Sequence, residues 1–300
     1  MVLKIGRILL KVFCWVLLGM IIFTLIFDRV VQFRMDDKDL GAFFKDRHID
    51  HKIDYYQTRG RKLRYIRVGD EDSSKATILF IHGAPSSLSY WNGYLSDSSL
   101  LERATMYAVD RPGYGYSGFG DPLANIAAQA AAIRPILDSL HKAHRPVIIV
   151  GASFGAPIAC RLAMDYPELA DGLVLVAPPL GPGQERIFWF TYLVESPLIQ
   201  WIVPRMFVSA NREKVHHRDD LSAMLPLWPK IHIPVNYLQG TKDDLVFTSN
   251  AEFARTHLTH SPSLHIDMIS GRGHLIAFNE KQRITRSILD MLDKCKEVKP

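Results

Sequence analysis

Cysteine is scarce in this chain. Cys14, Cys160 and Cys295 are the three in 300 residues, too few for a disulfide framework and without metal-ligand spacing. Proline and glycine together make 36 of the 300 residues, which excludes a collagen-like or Pro/Gly-rich disordered chain. No Asn-x-Ser/Thr sequon occurs, so nothing marks the chain for N-glycosylation. Charge of one sign is also lacking over most of the length. The net charge is +5, but Lys4, Arg7, Lys11, Arg29 and Arg34 against Asp28 supply +4 of it, leaving +1 for the other 266 residues. A body so nearly neutral gives no electrostatic footprint for nucleic acid. What is present is apolar material, 48% of residues against 22% charged, enough for a sizeable buried core.

Part of that material lies in one run. Residues 12–27 carry no charge, and extension back to Ile8 gives twenty residues interrupted only by Lys11. Twenty helical residues at about 1.5 Å each span the hydrocarbon core of a bilayer, and Lys11 is near enough to one end to snorkel. A cleaved signal peptide would show a shorter run followed by small residues; here Phe27-Asp28-Arg29-Val30-Val31 follows. Residues 1–34 therefore read as an uncleaved single-pass anchor. Lys4, Arg7 and Lys11 precede the span and Arg29, Arg34 and Lys38 follow it. This modest contrast favours a cytoplasmic N-terminus and a body on the extracytoplasmic side, periplasmic if the source is bacterial.

Residues 35–60 read as a polar connector. Beyond them, residues 62–68 alternate as a half-buried strand does. Residues 77–81, 106–109, 147–150 and 173–177 are short, β-branched apolar runs suited to strands covered on both faces. Residues 233–238 and 264–269 make two more. Helix-like stretches, 122–141, 154–165 and 281–294, lie between and after them. Such alternation predicts a mostly parallel α/β sheet. Residues 178–232 interrupt the pattern, rich in aromatics and punctuated by Pro197, Pro204, Pro226 and Pro229, so short helices are expected there. They read as a packed cap, and equally as a lid lining an apolar pocket.

The chemistry is concentrated in loops after the predicted strands. Val147-Ile148-Ile149-Val150 runs into Gly151-Ala152-Ser153-Phe154-Gly155, a G-x-S-x-G elbow between a strand and a helix. The tight turn leaves room only for small residues on either side and exposes Ser153 where helix N–H groups converge. A serine hydroxyl needs a base, and the base needs a group to orient it. Residues 239–246, with Asp243 and Asp244, follow one later strand, and Ser270-Gly271-Arg272-Gly273-His274 follows the last. Asp243 is favoured as the acid by its spacing between Gly240 and Val246, with Asp244 as the alternative. Twelve histidines are present. His274 alone follows the last strand among glycines; eight others, His141, His144, His216 and His217 among them, have polar neighbours and read as solvated. His232 and His265, in or beside strands, read as structural. The His82-Gly83-Ala84-Pro85-Ser86 turn could set the Ala84 N–H opposite that of Phe154 as an oxyanion pair. The Gly-rich turn at 110–117 is not a phosphate loop, because no Gly-Lys-Ser/Thr follows.

HGAPS, DRPGYGYSG, GASFG, GTKDDLV and GRGH, in this order over about residues 60–295, resemble the α/β-hydrolase superfamily. The resemblance implies an eight-stranded, mostly parallel sheet with a core at 61–177 and 233–300 and a cap at 178–232 after the sixth strand. It implies Ser153 as nucleophile, His274 as base, Asp243 as acid, and Ala84 and Phe154 as oxyanion donors, with no metal or organic cofactor. Epoxide hydrolases and haloalkane dehalogenases of this fold carry aspartate at the elbow, so serine here implies an acyl-enzyme. A membrane-anchored hydrolase of carboxylic esters, with a small-molecule or lipid-like substrate, is the leading expectation. Thioesters, amides or peptides, and carbon–carbon bonds of diketones are open to the same residues, as is a catalytically inactive binding module.

Overall fold

The computed structural model describes residues 2–30, 32–70, 75–140 and 145–298. Its first element, α1 (Val2–Val30), meets the body near its C-terminal end, at Phe27 and Asp28, and apolar side chains such as Trp15 and Phe23 are largely exposed. Residues 4–30 are long and apolar enough to cross a membrane by length and composition. Next come α2 (Asp37–Lys45) and strands β1 (His51–Thr58) and β2 (Arg61–Val68). The Asp36 side chain caps α2 by accepting from the Asp39 N–H at 2.7 Å.

These elements correct one expectation. Residues 35–60 are not a connector, because β1 pairs with β2 along its whole length, from His51 against Val68 to Thr58 against Arg61. Arg59 and Gly60 join the strands in a two-residue turn with φ of +47° and +75°, the left-handed pair that matches strand twist. β1 carries charges and half-exposed side chains, as an edge strand does. It therefore lacks the apolar run that betrays a central strand.

The chain continues through β3 (Ala76–Ile81), β4 (Ala104–Val109), α3 (Ile126–Leu140), β5 (Val147–Ala152), α4 (Gly155–Asp165) and β6 (Gly172–Val176). After the intervening cap come β7 (Val235–Gly240), α6 (Ser249–His257), β8 (Leu264–Ile269) and α7 (Lys281–Val298). The eight strands form one sheet in the order β1-β2-β4-β3-β5-β6-β7-β8. The β1–β2 and β2–β4 pairs are antiparallel and the rest parallel.

Successive residues of the central strands point to opposite faces. Leu79, Ile81, Val147 and Ile149 join one apolar cluster, with α3, α4 and α6. Ile78, Phe80, Ile148 and Val150 join the other, with α2 and α7. α7 buries Ile284, Ile288, Met291, Leu292 and Cys295, a stripe at helical spacing. Each fully buried aliphatic side chain there contributes about 1.5–3 kcal/mol.

Between β6 and β7 lie two single helical turns, Thr191–Val194 and Pro197–Gln200, and then α5 (Arg205–Met224). The 20-residue α5 exceeds the short helices expected. Pro204 and Pro226 stand just outside its two ends and leave the stretch between them free of proline, so ring sterics stop the helix only at its borders.

Candidate active site

The chain passes from β3 to β4 on one side and then crosses to β5 on the other. A crevice opens at the carboxyl ends of strands where the direction of winding reverses. Ser153 follows β5 at this point, and Gly83 and Ala84 follow β3.

Ser153 has φ of +48°, a left-handed conformation that costs a non-glycine residue on the order of 1–3 kcal/mol. Its N–H is tied to the Val176 carbonyl at 2.8 Å, and its carbonyl accepts from Ala156 at 2.9 Å. The flanking glycines are required by contact. A Cβ on Gly151 would lie 2.6 Å from the Gly155 oxygen, and one on Gly155 would lie 2.3 Å from the Ile81 oxygen. Both obstacles are backbone and cannot rotate aside.

Two further loops meet the serine. His274 Nε2 is 3.0 Å from Ser153 Oγ, and His274 Nδ1 is 2.8 Å from Asp243 Oδ2. The other Asp243 oxygen accepts the N–H groups of Leu245 and Val246 at 3.0 and 2.9 Å. Asp243 is buried, whereas Asp244 is exposed and faces Arg186 at 3.4 Å. The structure thus brings Asp243, and not its neighbour, to the histidine. The Lys242 N–H bonds to the Arg272 carbonyl at 2.8 Å, locking the two loops together. A Cβ on Gly240 would strike that carbonyl at 2.2 Å, so the close approach depends on glycine. The turn after His274 is held by the Tyr94 hydroxyl, which donates to the Ala277 carbonyl at 2.6 Å.

The turn after β3 lies directly over the serine. A Cβ on Gly83 would come within 2.9 Å of the Ser153 Cβ. The Gly83 carbonyl faces His82 Nδ1 at 2.7 Å and accepts from Arg111 Nη2 at 3.1 Å. A trans peptide directs its C=O and N–H in opposite senses, so this grip turns the Ala84 N–H away from Arg111. Phe154, next along from Ser153, is buried beneath the cap. Its ring packs on that of His217 at a centroid distance of 4.7 Å.

Sequence patterning missed what holds this turn. Arg111, fully buried, pairs with Glu213 of α5 at 2.5 and 3.2 Å and with the Gln129 side-chain oxygen at 2.8 Å. Glu213 also accepts from Tyr114 at 2.6 Å and Gln129 at 2.7 Å. The signal available in sequence was Arg111 within the Gly-rich turn; its partner lies 102 residues away in the cap. His217, grouped with solvated histidines above, is corrected. It is fully buried, with Nδ1 2.7 Å from Glu185 Oε1. Glu185, itself buried, also pairs with Lys214. Burial raises the Glu185 pKa, but His217 and Lys214 outweigh it and hold the carboxyl below its ordinary range. His232 and His265, assigned structural roles above, have exposed side chains instead. His141 and His144 lie outside the described residues. Among the described residues, no group of three His, Cys, Asp or Glu side chains is gathered to hold a metal.

His82 makes a testable contribution. Burial, then the adjacent Arg111 cation, hold its pKa well below 6.5. Its Nε2 accepts the Arg111 N–H at 3.0 Å, so a neutral ring carries its proton on Nδ1, toward the Gly83 carbonyl. The unfolded chain takes up a proton at this position below about pH 6.5, and the folded chain does not. The stabilisation is thus complete above that pH and is lost as the pH falls. Asp110, which burial raises to about 6, acts in the opposite sense but is common to both proteins in the comparison. Urea unfolding from about pH 7 down to about pH 5 is expected to show a steeper loss in wild type than in His82→Asn. Parallel curves would refute the assignment.

A family model described as "Alpha/beta hydrolase family" matches residues 78–284. The chain belongs to this family. The α/β hydrolase is similar to epoxide hydrolase 1 of Caenorhabditis elegans, with 25% identity over 173 residues, or 54% of this chain and 40% of that one. The matched stretch thus spans well under half of that relative. Among solved structures it is similar to a bacterial membrane phospholipase A, with TM-score 0.66, 18% identity, and 97% and 99% of the two chains covered. It is also similar to haloalkane dehalogenase DbeA from Bradyrhizobium elkani, with TM-score 0.65, 18% identity, and 83% and 99% covered. At these identities the structural likeness is one of fold.

Proposed function

We propose that this α/β hydrolase is a membrane-anchored serine hydrolase that cleaves carboxylic esters with an apolar acyl or alcohol part through an acyl-enzyme on Ser153. The observation that carries the reading is the unbroken relay from Asp243 through His274 to Ser153, at 2.8 and 3.0 Å. Ser153, rather than an aspartate, stands at the elbow.

In this reading His274 Nε2 takes the Ser153 proton as Oγ attacks the ester carbonyl carbon. Asp243 holds the ring in the tautomer that presents Nε2 and stabilises the imidazolium. The carbonyl oxygen becomes an oxyanion facing the N–H groups of Ala84 and Phe154. Collapse breaks the bond to the alcohol, which leaves with the proton from His274. A water deprotonated by the same His274 then attacks the acyl carbon, releases the carboxylic acid and restores Ser153. Each step needs only residues of this chain, the ester and water.

The apolar part of the substrate is supported by Leu245, Phe247 and Leu275, which are exposed close to the acid and the base. The anchor reading rests on α1, and the flanking cations support a cytoplasmic N-terminus with the body on the extracytoplasmic side. A p-nitrophenyl ester series of increasing acyl length, run beside a matching thioester and anilide, tests the substrate class. The expected result is ester turnover with kcat/KM rising as the chain lengthens beyond acetate. Preference for the thioester or the anilide would contradict the ester assignment.

A further inference from the structure

The C-terminal end of α1 is joined to the cap. Asp28 accepts from the Arg205 backbone N–H at 2.8 Å and from Arg205 Nε at 2.9 Å. Phe27 stacks on Phe207 at 6.3 Å with the rings 13° from parallel. Arg34 then ties the following segment to the body, donating to the Gly115 carbonyl at 2.7 Å and lying over the Phe119 ring. The apolar span therefore ends against the first turn of α5, and the cap is the part of the body beside it.

The turns that pack on α5 at Asn211 and Arg212 carry apolar side chains that are uncovered. Trp189 is 81% exposed, Leu198 80%, Tyr192 63% and Trp201 55%. Single exposed apolar residues need no explanation, but a cluster of this size does. Tryptophan and tyrosine, with an apolar body and a polar tip, suit the boundary between lipid and water.

The cluster also leads back to the serine. Phe188 stacks on Phe190 at 5.3 Å, and the Asn211 amide of α5 donates to the Thr191 carbonyl at 3.0 Å. Upstream, the Arg186 N–H bonds to the Leu245 carbonyl at 2.8 Å, and the Phe247 N–H to the Gln184 carbonyl at 3.0 Å. The backbone that carries Ile187 and Phe188 thus runs beside the loop of Asp243. Exposed apolar side chains thus occur at the anchor, with Phe207, along residues 187–201 of the cap, and beside the acid and the base, with Leu245, Phe247 and Leu275.

We infer that the exposed cap face rests on the bilayer entered by α1, and that this apolar track delivers the acyl chain of a bilayer lipid to Ser153. The inference rests on the serine-hydrolase reading for its second half only. Contact with lipid requires the anchor and the face, not the triad.

The test uses full-length protein in vesicles of phosphatidylcholine and phosphatidylglycerol. Cys14→Ser removes the exposed thiol, and the remaining Cys160 and Cys295 are buried. Leu198→Cys on the cap face, and Glu102→Cys beside the start of β4 as a remote control, are each labelled with the fluorophore NBD. The expected result is blue-shifted emission from the label at 198, with loss of that emission when acyl chains carry a nitroxide near the carbonyl end. The label at 102 should show neither. A label at 198 as wet and unquenched as that at 102 overturns the inference. In parallel, Trp189→Glu with Leu198→Glu should lower the ratio of vesicle-borne long-chain ester hydrolysis to dissolved butyrate ester hydrolysis by about tenfold. An unchanged ratio defeats the delivery track. Failure of the parent protein to hydrolyse the dissolved ester would instead defeat the serine-hydrolase reading, and the NBD result would still decide the docking.

Discussion

Asp243→Asn is expected to preserve the fold and to lower kcat by about 10⁴-fold, the scale seen when a triad carboxylate becomes an amide. In the proposed mechanism the effect is large because Asp243 has two functions separable by atom. Oδ1 holds the loop through the Leu245 and Val246 N–H groups, and an asparagine oxygen can accept those bonds. Oδ2 accepts from His274 Nδ1 at 2.8 Å, and there the amide presents N–H. The ring must then turn its acceptor toward residue 243 and its proton toward Ser153, which leaves the serine without a base. Asp244→Asn, by contrast, alters an exposed group paired at the surface with Arg186 and should change kcat by less than about twofold. Steady-state kinetics on a dissolved ester, with circular dichroism to verify folding, measures both. Equal losses in the two variants would reject the choice of Asp243.

The second large effect is expected at Glu213, far from any reacting bond. Glu213→Gln leaves the buried Arg111 guanidinium without its counter-charge, and breaking one side of a buried pair costs about 3–5 kcal/mol. The loss should appear as a lower urea midpoint. Replacing both partners, Arg111→Met with Glu213→Leu, removes the uncompensated charge and should recover most of that stability. It does not restore the donor at the Gly83 carbonyl. If that donor aims the Ala84 N–H, kcat of the double variant should remain down by up to roughly 10²-fold, within the range for loss of an oxyanion donor. Recovery of both stability and kcat would show that the cluster only packs the cap. The two readouts therefore separate structural support from positioning.

The difference between these two sites explains what was legible in the sequence. The elbow follows β5, whose β-branched, fully buried run marks itself, and the acid and histidine loops follow the apolar stretches of β7 and β8, so each loop could be located from local pattern. Ser153 is further marked by glycines that backbone crowding demands. β1 has no such run. His51, Lys52, Asp54 and Gln57 break up Ile53, Tyr55 and Tyr56, because an edge strand faces solvent and needs charge there. Its identity comes from pairing with β2, which only the folded chain displays. Arg111 and Glu213 were hidden for a related reason. A buried ion pair is long-range, and in sequence each residue resembles any surface charge. His217 was misjudged on the same basis, since Lys214, His216 and Arg218 surround it in sequence while Phe154 and Glu185 surround it in space. The cap helix α5 exceeded expectation because prolines were read as breaks when they serve as borders.

Fluorophosphonate labelling, followed by intact mass and peptide mapping, decides whether Ser153 is an activated nucleophile facing an oxyanion site. The phosphonylated serine mimics the tetrahedral state, so the reaction needs nucleophile, base and oxyanion donors together. An acyl-enzyme mechanism on Ser153 predicts one adduct per chain on the peptide bearing Ser153, none in Ser153→Ala, and sharply slower formation in His274→Ala. Folded wild-type protein that stays unmodified, or an adduct that persists in Ser153→Ala, would contradict it.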